Sequence, residues 1–284
     1  VGNLKGIIAY QWNADGSGVL VPLDGDLYLA KLDGTVTRLT DTEESELNPK
    51  LSPEGEFVSF VRDRQLWVGP VGGDAQPITP KEGELIRWGE AEFVAQEEMG
   101  RMTGFWWNPD DTRLAVQRTD ESPVGVVTRA AIGATGTKVF DQRYPVAGSD
   151  NAIVELFVMD PDGANRVKVD LGDNPDIYLA RVDWAPDGSA LYVQRQSREQ
   201  IQEDEAQRWV EKRLGQRRLG FVNLVGRVDP RGHRPPSVPS PPLLQALPYQ
   251  VAQPTPALAR PTPLLALLVK LRGVGQLVER RGVR

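Results

Sequence analysis

A five-residue turn recurs four times in the first two-thirds of the chain, and a chain that repeats one turn must repeat the structural unit around it. The copies are Trp12-Asn13-Ala14-Asp15-Gly16, Leu51-Ser52-Pro53-Glu54-Gly55, Trp107-Asn108-Pro109-Asp110-Asp111 and Trp184-Ala185-Pro186-Asp187-Gly188. Each leads into an apolar stretch rich in β-branched and aromatic residues: Val19 to Pro22, Phe57 to Val61, Leu114 to Gln117 and Ala190 to Gln194. Such stretches suit buried strands. Second strands follow at Asp26 to Leu32, Gln65 to Val71 and Glu155 to Pro161. Gly-containing turns and third segments close the units at Asp33 to Thr40, Gly72 to Thr79 and Asp162 to Val169.

The repeated unit is therefore a four-strand meander, and meanders repeated about an axis make a β-propeller. The turns lie at residues 14, 53, 109 and 186. The first interval is an ordinary blade length, whereas the later two require insertions. The sequence predicts an all-β fold, an incomplete propeller of about four four-stranded blades with a short helical insertion. Its first and last blades would expose unpaired edges. Propeller residues are expected over 1–197 and a non-matching, disordered or poorly folded tail over 198–284.

The charge distribution supports that division. Beyond Glu211 there are thirteen Lys and Arg against Asp229 and Glu279, a net +11, while residues 1–211 carry −17. The acidic part argues against a nucleic-acid partner, because phosphate binding needs clustered basic residues. The run from Arg198 to Arg218 has helical periodicity and no successor strand. Past Arg217 the chain is rich in Pro, Leu, Arg and Val in irregular order. Three readings of that tail stand side by side: proline-rich disorder, a membrane-surface helix from Leu264, and a frame-shifted translation, which its loss of acids favours. No apolar leader opens the sequence and Val1 stands where Met is expected, so the start reads as truncated and no membrane partner is expected.

Catalytic machinery is not legible here. No Gly-x-Ser-x-Gly elbow occurs, and the sole histidine, His233, falls in the tail. Cysteine is absent, no phosphate-cradling Gly-rich loop appears, and no cofactor or metal is expected. What stands out is the insertion between the second and third turns, Trp88 to Asp111. Its segment AEFVAQEEMGRM has no turn residue before Gly100 and suits a short helix carrying Glu97 and Glu98. Helical neighbours diverge by about 100°, so the two carboxylates meet one ligand only where the helix end faces a cavity. An ammonium suits such a pair, its three N–H donors each making charge-assisted bonds of roughly 1.5–3 kcal/mol away from water. The alternative is two solvated surface acids.

The string from Gln96 to Pro109, QEEMGRMTGFWWNP, resembles the double-glutamate segment and tryptophan pair of the dipeptidyl-peptidase IV family of serine exopeptidases, nearest its bacterial and cytosolic branches. Thr119 to Val124, and Arg143-Tyr144-Pro145-Val146-Ala147-Gly148 followed by Asn151, are similar to further family segments in the same order. The resemblance implies an eight-bladed propeller capping an α/β-hydrolase domain, substrates with a free amino terminus, release of X-Pro or X-Ala dipeptides, a homodimer of the full-length enzyme, and a bacterial periplasmic or cytoplasmic setting. It assigns Glu97 and Glu98 to the substrate's α-amino group, with catalysis in a hydrolase domain that this sequence lacks. Arg101 is the nearest candidate for a carbonyl-binding arginine, though a salt-bridged structural role fits it better. Trp106 and Trp107 are expected in the core, and Arg143 and Tyr144 in loop packing. Gly100 departs from the family's usual acid and would loosen the helix. A stand-alone propeller of the TolB or WD40 type, serving as an interaction scaffold, is the competing reading; it predicts the glutamates on the outer rim.

Overall fold

The computed structural model describes residues 6, 7 and 9–198 together with two strands beyond them, Glu203–Val210 and Gly220–Asn223. Four antiparallel meanders follow one another along the chain. The first blade is β1 (Gln11–Trp12), β2 (Gly18–Leu23), β3 (Asp26–Lys31) and β4 (Val36–Arg38), paired in that order. The second is β5 (Leu47–Leu51), β6 (Phe57–Arg62), β7 (Gln65–Pro70) and β8 (Gln76–Pro77).

The third blade is more elaborate. It contains β9 (Ile86–Trp88), the helix α1 (Phe93–Glu97), β10 (Phe105–Trp107), β11 (Leu114–Asp120), a hairpin of β12 (Val126–Gly133) and β13 (Gly136–Arg143), then β14 (Ile153–Met159) and β15 (Val167–Lys168). The fourth is β16 (Ile177–Trp184), β17 (Ala190–Ser197), β18 (Glu203–Val210) and β19 (Gly220–Asn223). The fold is thus the expected four-blade propeller segment with a short helical insertion. One expectation is corrected. The run from Arg198 to Arg218, read as helical and without a successor strand, contains β18, which pairs with β17 from Ala190↔Val210 to Gln196↔Glu203 and then with β19. Pairing with a neighbouring strand overrides local periodicity. The remaining expectations for the tail, His233 among them, fall outside the described residues.

The recurrent turn has one conformation in all four copies. Its fifth residue adopts left-handed backbone, with φ of 68° at Gly16, 83° at Gly55, 58° at Asp111 and 68° at Gly188. That residue's N–H bonds the carbonyl three positions back, at 3.1, 3.0, 3.3 and 2.8 Å respectively. Glycine takes this backbone without steric cost. Asp111 is the exception, and its carboxylate is engaged by the turn of the preceding blade: Ser52 Oγ donates to Oδ2 and the Glu54 N–H donates to Oδ1 at 3.0 Å. The non-glycine copy ties two blades together.

Cores form between sheets. Leu20, Leu27 and Leu29 of the first blade pack on Leu51, Val58 and Phe60 of the second. Val61, Leu66 and Val68 of the second meet Trp88, Phe105 and Val116 of the third. Ala115, Leu156 and Val158 of the third meet Leu179, Val182 and Val193 of the fourth. Each sheet buries a face against the next, as propeller blades must. Among the described residues, no helix is long and apolar enough to cross a membrane.

The first strands of the blades line one cleft of about 900 Å3. Gln11 of β1, Lys50 of β5, Trp106 of β10 and Arg181 of β16 all face it, which marks it as the axial opening of the propeller segment.

Candidate functional site

The inner strand of the third blade is split in two. Both β9 and β10 pair with the same edge of β11, β10 over Leu114 to Val116 and β9 over Arg118 to Asp120. The residues between them, 89–104, leave the sheet as an excursion pinched at its base. Gly104 N–H bonds the Gly89 carbonyl at 2.8 Å, and Glu90 faces Thr103 across an isolated bridge. Gln117 on β11 holds both limbs: it accepts from Gly89 N–H (2.9 Å) and donates its own N–H to the Gly104 carbonyl (2.7 Å). Glycine is required at 104, where a Cβ would lie 2.7–2.8 Å from the Glu90 backbone.

Within the excursion, α1 packs against β16 of the fourth blade. Its N-cap, Glu92, makes no side-chain capping bond. The carboxylate turns inward instead. Gln117 Nε2 donates to Glu92 Oε2 at 3.0 Å, and the Arg101 guanidinium pairs with the same oxygen at 3.5 Å. Arg101 also donates to Gln117 Oε1 (2.9 Å), the Thr103 carbonyl (2.9 Å) and the Leu179 carbonyl on β16 (2.6 Å). Both charged side chains are buried, 7% and 5% exposed for Arg101 and Glu92. Burial pushes the Arg101 guanidinium below its ordinary value, opposed by the Glu92 charge. A buried pair is tolerated only when its hydrogen bonds are otherwise met, and here Gln117 and two carbonyls meet most of them. Arg101 is therefore a structural, salt-bridged arginine.

This network fixes the segment that carries the glutamates. Glu97 ends α1 and Glu98 caps it, its N–H on the Val94 carbonyl at 2.8 Å. Gly100, at φ +62°, then reverses the chain so that Arg101 N–H reaches the Ala95 carbonyl at 3.0 Å. Gly100 thus lies past the helix and does not loosen it. On β16, Arg181 donates to the Met99 carbonyl at 3.0 Å. Both glutamates are exposed, and neither carboxylate has a hydrogen-bond or ion-pair partner among the described residues. Gly100 to Thr103, which follow Met99, form part of the rim of the axial cleft, whereas Glu97 and Glu98 do not line it.

The tryptophan pair divides between two roles. Trp107 is core: its indole stacks on Phe57 at 5.5 Å and its Nε1 donates to Ser59 Oγ at 2.9 Å. Trp106 is half-buried and faces the cleft, with the Arg101 guanidinium 5.5 Å from its ring. Arg143 and Tyr144 pack loops as expected, Arg143 donating to the Val124 carbonyl and Tyr144 meeting Phe93 of α1 edge-on at 5.0 Å. Sequence reasoning missed Gln117 and Lys50. Gln117 follows the apolar run Leu114 to Val116 of β11 and is wholly buried, as is Thr119 two residues on. Among the described residues no cluster of His, Cys, Asp and Glu could hold a metal ion.

Comparison with known proteins assigns this architecture. Residues 13–209 match the family model described as the dipeptidyl peptidase IV N-terminal region. The chain belongs to the dipeptidyl peptidase IV family. It is 30% identical over 157 residues to the probable dipeptidyl-aminopeptidase B of Emericella nidulans, covering 49% of this chain and 17% of that protein. It is 26% identical over 190 residues to human dipeptidyl peptidase 8, covering 55% and 21%. The crystal structure of Porphyromonas gingivalis dipeptidyl peptidase 4 superposes with a TM-score of 0.62 at 22% identity, covering 74% of this chain and 31% of that one, and shares the fold. The chain spans about one-fifth of the length of these curated relatives.

Proposed function

We propose that this chain is the substrate-recognising propeller segment of a dipeptidyl-peptidase IV-type serine exopeptidase, and that Glu97 and Glu98 hold the α-ammonium of a peptide's free amino terminus. The observation that carries the reading is the pinned excursion. A buried Arg101–Gln117–Glu92 network commits three polar side chains to fixing a short helix whose end carries two exposed carboxylates, a few residues ahead in the chain of the Gly100–Thr103 rim of the axial cleft. A surface pair with no ligand needs no such support. Two adjacent carboxylates on a held backbone offer four oxygens to three N–H donors, and anchoring the amino terminus at a set distance from a nucleophile makes the enzyme cut after the second residue. In the full enzyme the nucleophile belongs to an α/β-hydrolase domain facing the propeller. The bond cut follows an X-Pro or X-Ala dipeptide.

The scaffold alternative calls for glutamates on the outer rim. Their segment instead grows from the inner strand of its blade and packs on the inner strand of the next, which favours recognition. Titration calorimetry of the chain with an X-Pro-containing tripeptide and with its N-acetylated twin tests the proposal. Binding of the free-amine peptide and about tenfold or weaker binding of the acetylated one is expected, since acetylation removes the cation. Equal affinity for both would overturn it.

A further inference from the structure

We infer that the axial cleft holds an oxyanion site centred on Lys50, taking a carboxylate- or phosphate-type group. The site is independent of the amino-terminus reading, because none of its residues belongs to the glutamate pair. Lys50 stands on β5 with its ammonium turned inward. Nζ donates to the Phe105 carbonyl at 3.1 Å and lies 4.9 Å from the Phe105 ring centroid. That carbonyl is its one acceptor, and no carboxylate among the described residues lies within ion-pair distance of Nζ. Arg101 and Thr103 line the same cleft, and behind its surface Arg101 Nε and Thr103 Oγ1 are buried with no hydrogen-bond partner. The Lys50 ammonium is thus the cation that the second blade brings to the opening, beside Arg101 and Thr103 of the third.

The charge balance points the same way. Arg101 is neutralised by Glu92. Glu46, the cleft's buried acid, is already committed, accepting from Thr40 Oγ1 at 3.0 Å, Thr42 Oγ1 at 2.8 Å and Arg62 at 3.4 Å. Arg181 and Asp183 on β16 bring one charge of each sign to the rim. Lys50 is left as a cation without a countercharge, and burial, together with the nearby Arg101 charge, lowers its pKa from 10.5 to about 8. Water supplies acceptors but no countercharge. The oxygens of a carboxylate or phosphate supply both, while Leu20, Trp106 and Val182 offer an apolar wall to whatever carries the group.

The test uses the full chain with 13Cε-labelled lysine, titrated by NMR in a buffer free of oxyanions, then with acetate and separately with inorganic phosphate. The Lys50 resonance is expected to titrate near pH 8 alone and to move upward by about one unit or more at saturating anion, equivalent to a tenfold preference for the protonated amine. A response to acetate alone assigns a carboxylate ligand, to phosphate alone a phosphate ligand, and to both a general oxyanion site. A Lys50 pKa unmoved by either anion overturns the proposal and needs no variant to read. Lys50→Gln, checked for fold by circular dichroism, should weaken anion binding at least about tenfold by calorimetry; undiminished binding by the folded variant would equally overturn it.

Discussion

The second and third blades are the same meander built to different ends. In the second, β5 to β8 run on with short connections, and the inner strand β5 is interrupted by nothing more than a register shift between Leu47 and Lys50. In the third, the inner strand is cut into β9 and β10 to release the excursion, and a long exposed hairpin, β12–β13, is added between β11 and β14. Each blade buries a large aromatic completely, Phe60 in the second and Phe105 in the third. The difference lies in polar groups. Buried polar side chains of the second blade fasten its sheet to the turn and indole of the third, Ser52 Oγ on Asp111 and Ser59 Oγ under Trp107 Nε1, whereas Arg101, Gln117 and Glu92 of the third fasten an excursion to a strand and to the neighbouring blade. A packed sheet carries stability; a sheet opened at its inner edge and refastened by hydrogen bonds carries a presented site.

That contrast can be broken by paired substitutions. Phe60→Ala in the second blade and Arg101→Met in the third should each cost about 3–5 kcal/mol, the first by leaving a cavity and the second by leaving Glu92 charged and buried without its cation. Urea unfolding would read the two losses as similar. Peptide binding, measured where both variants remain folded, should separate them: Phe60→Ala keeps the affinity and Arg101→Met loses it. Equal loss in both would mean that the excursion is not a separate element. A smaller effect is expected at Gly100. A Cβ there meets nothing within 4 Å, so Gly100→Ala pays for its left-handed backbone alone, about 1–2 kcal/mol by thermal unfolding. Gly100→Asn should cost less, because a short polar side chain tolerates that backbone. A neutral Gly100→Ala would show that the turn does not hold α1 in register.

The regular blades were legible because their turn is local. Four residues in left-handed backbone at matching positions leave a mark that any reader of the sequence can find, and the strands after them are short, apolar and β-branched. The helix with Glu97 and Glu98 was legible as well. The split strand was not, since nothing in Ile86–Trp88 or Phe105–Trp107 reveals that both pair with one edge of β11. The insertion before the fourth turn was countable, but its form as a hairpin depends on register across Gly133 and Gly136. At Glu203–Val210 local helical spacing misled, because the strand is made by its partner β17. Lys50 escaped notice for a related reason: a lone lysine in a strand acquires meaning only when the next blade packs against it.

The central claim is that the excursion separates recognition from stability. The most direct measurement is a double variant, Glu97→Gln with Glu98→Gln, followed on one preparation by thermal unfolding and by calorimetry with a free-amine X-Pro peptide. Because neither carboxylate has a partner among the described residues, the unfolding midpoint should stay where it is, while peptide affinity falls by about tenfold or more. A retained affinity, or a loss of affinity that comes only with a lowered midpoint, would contradict the account.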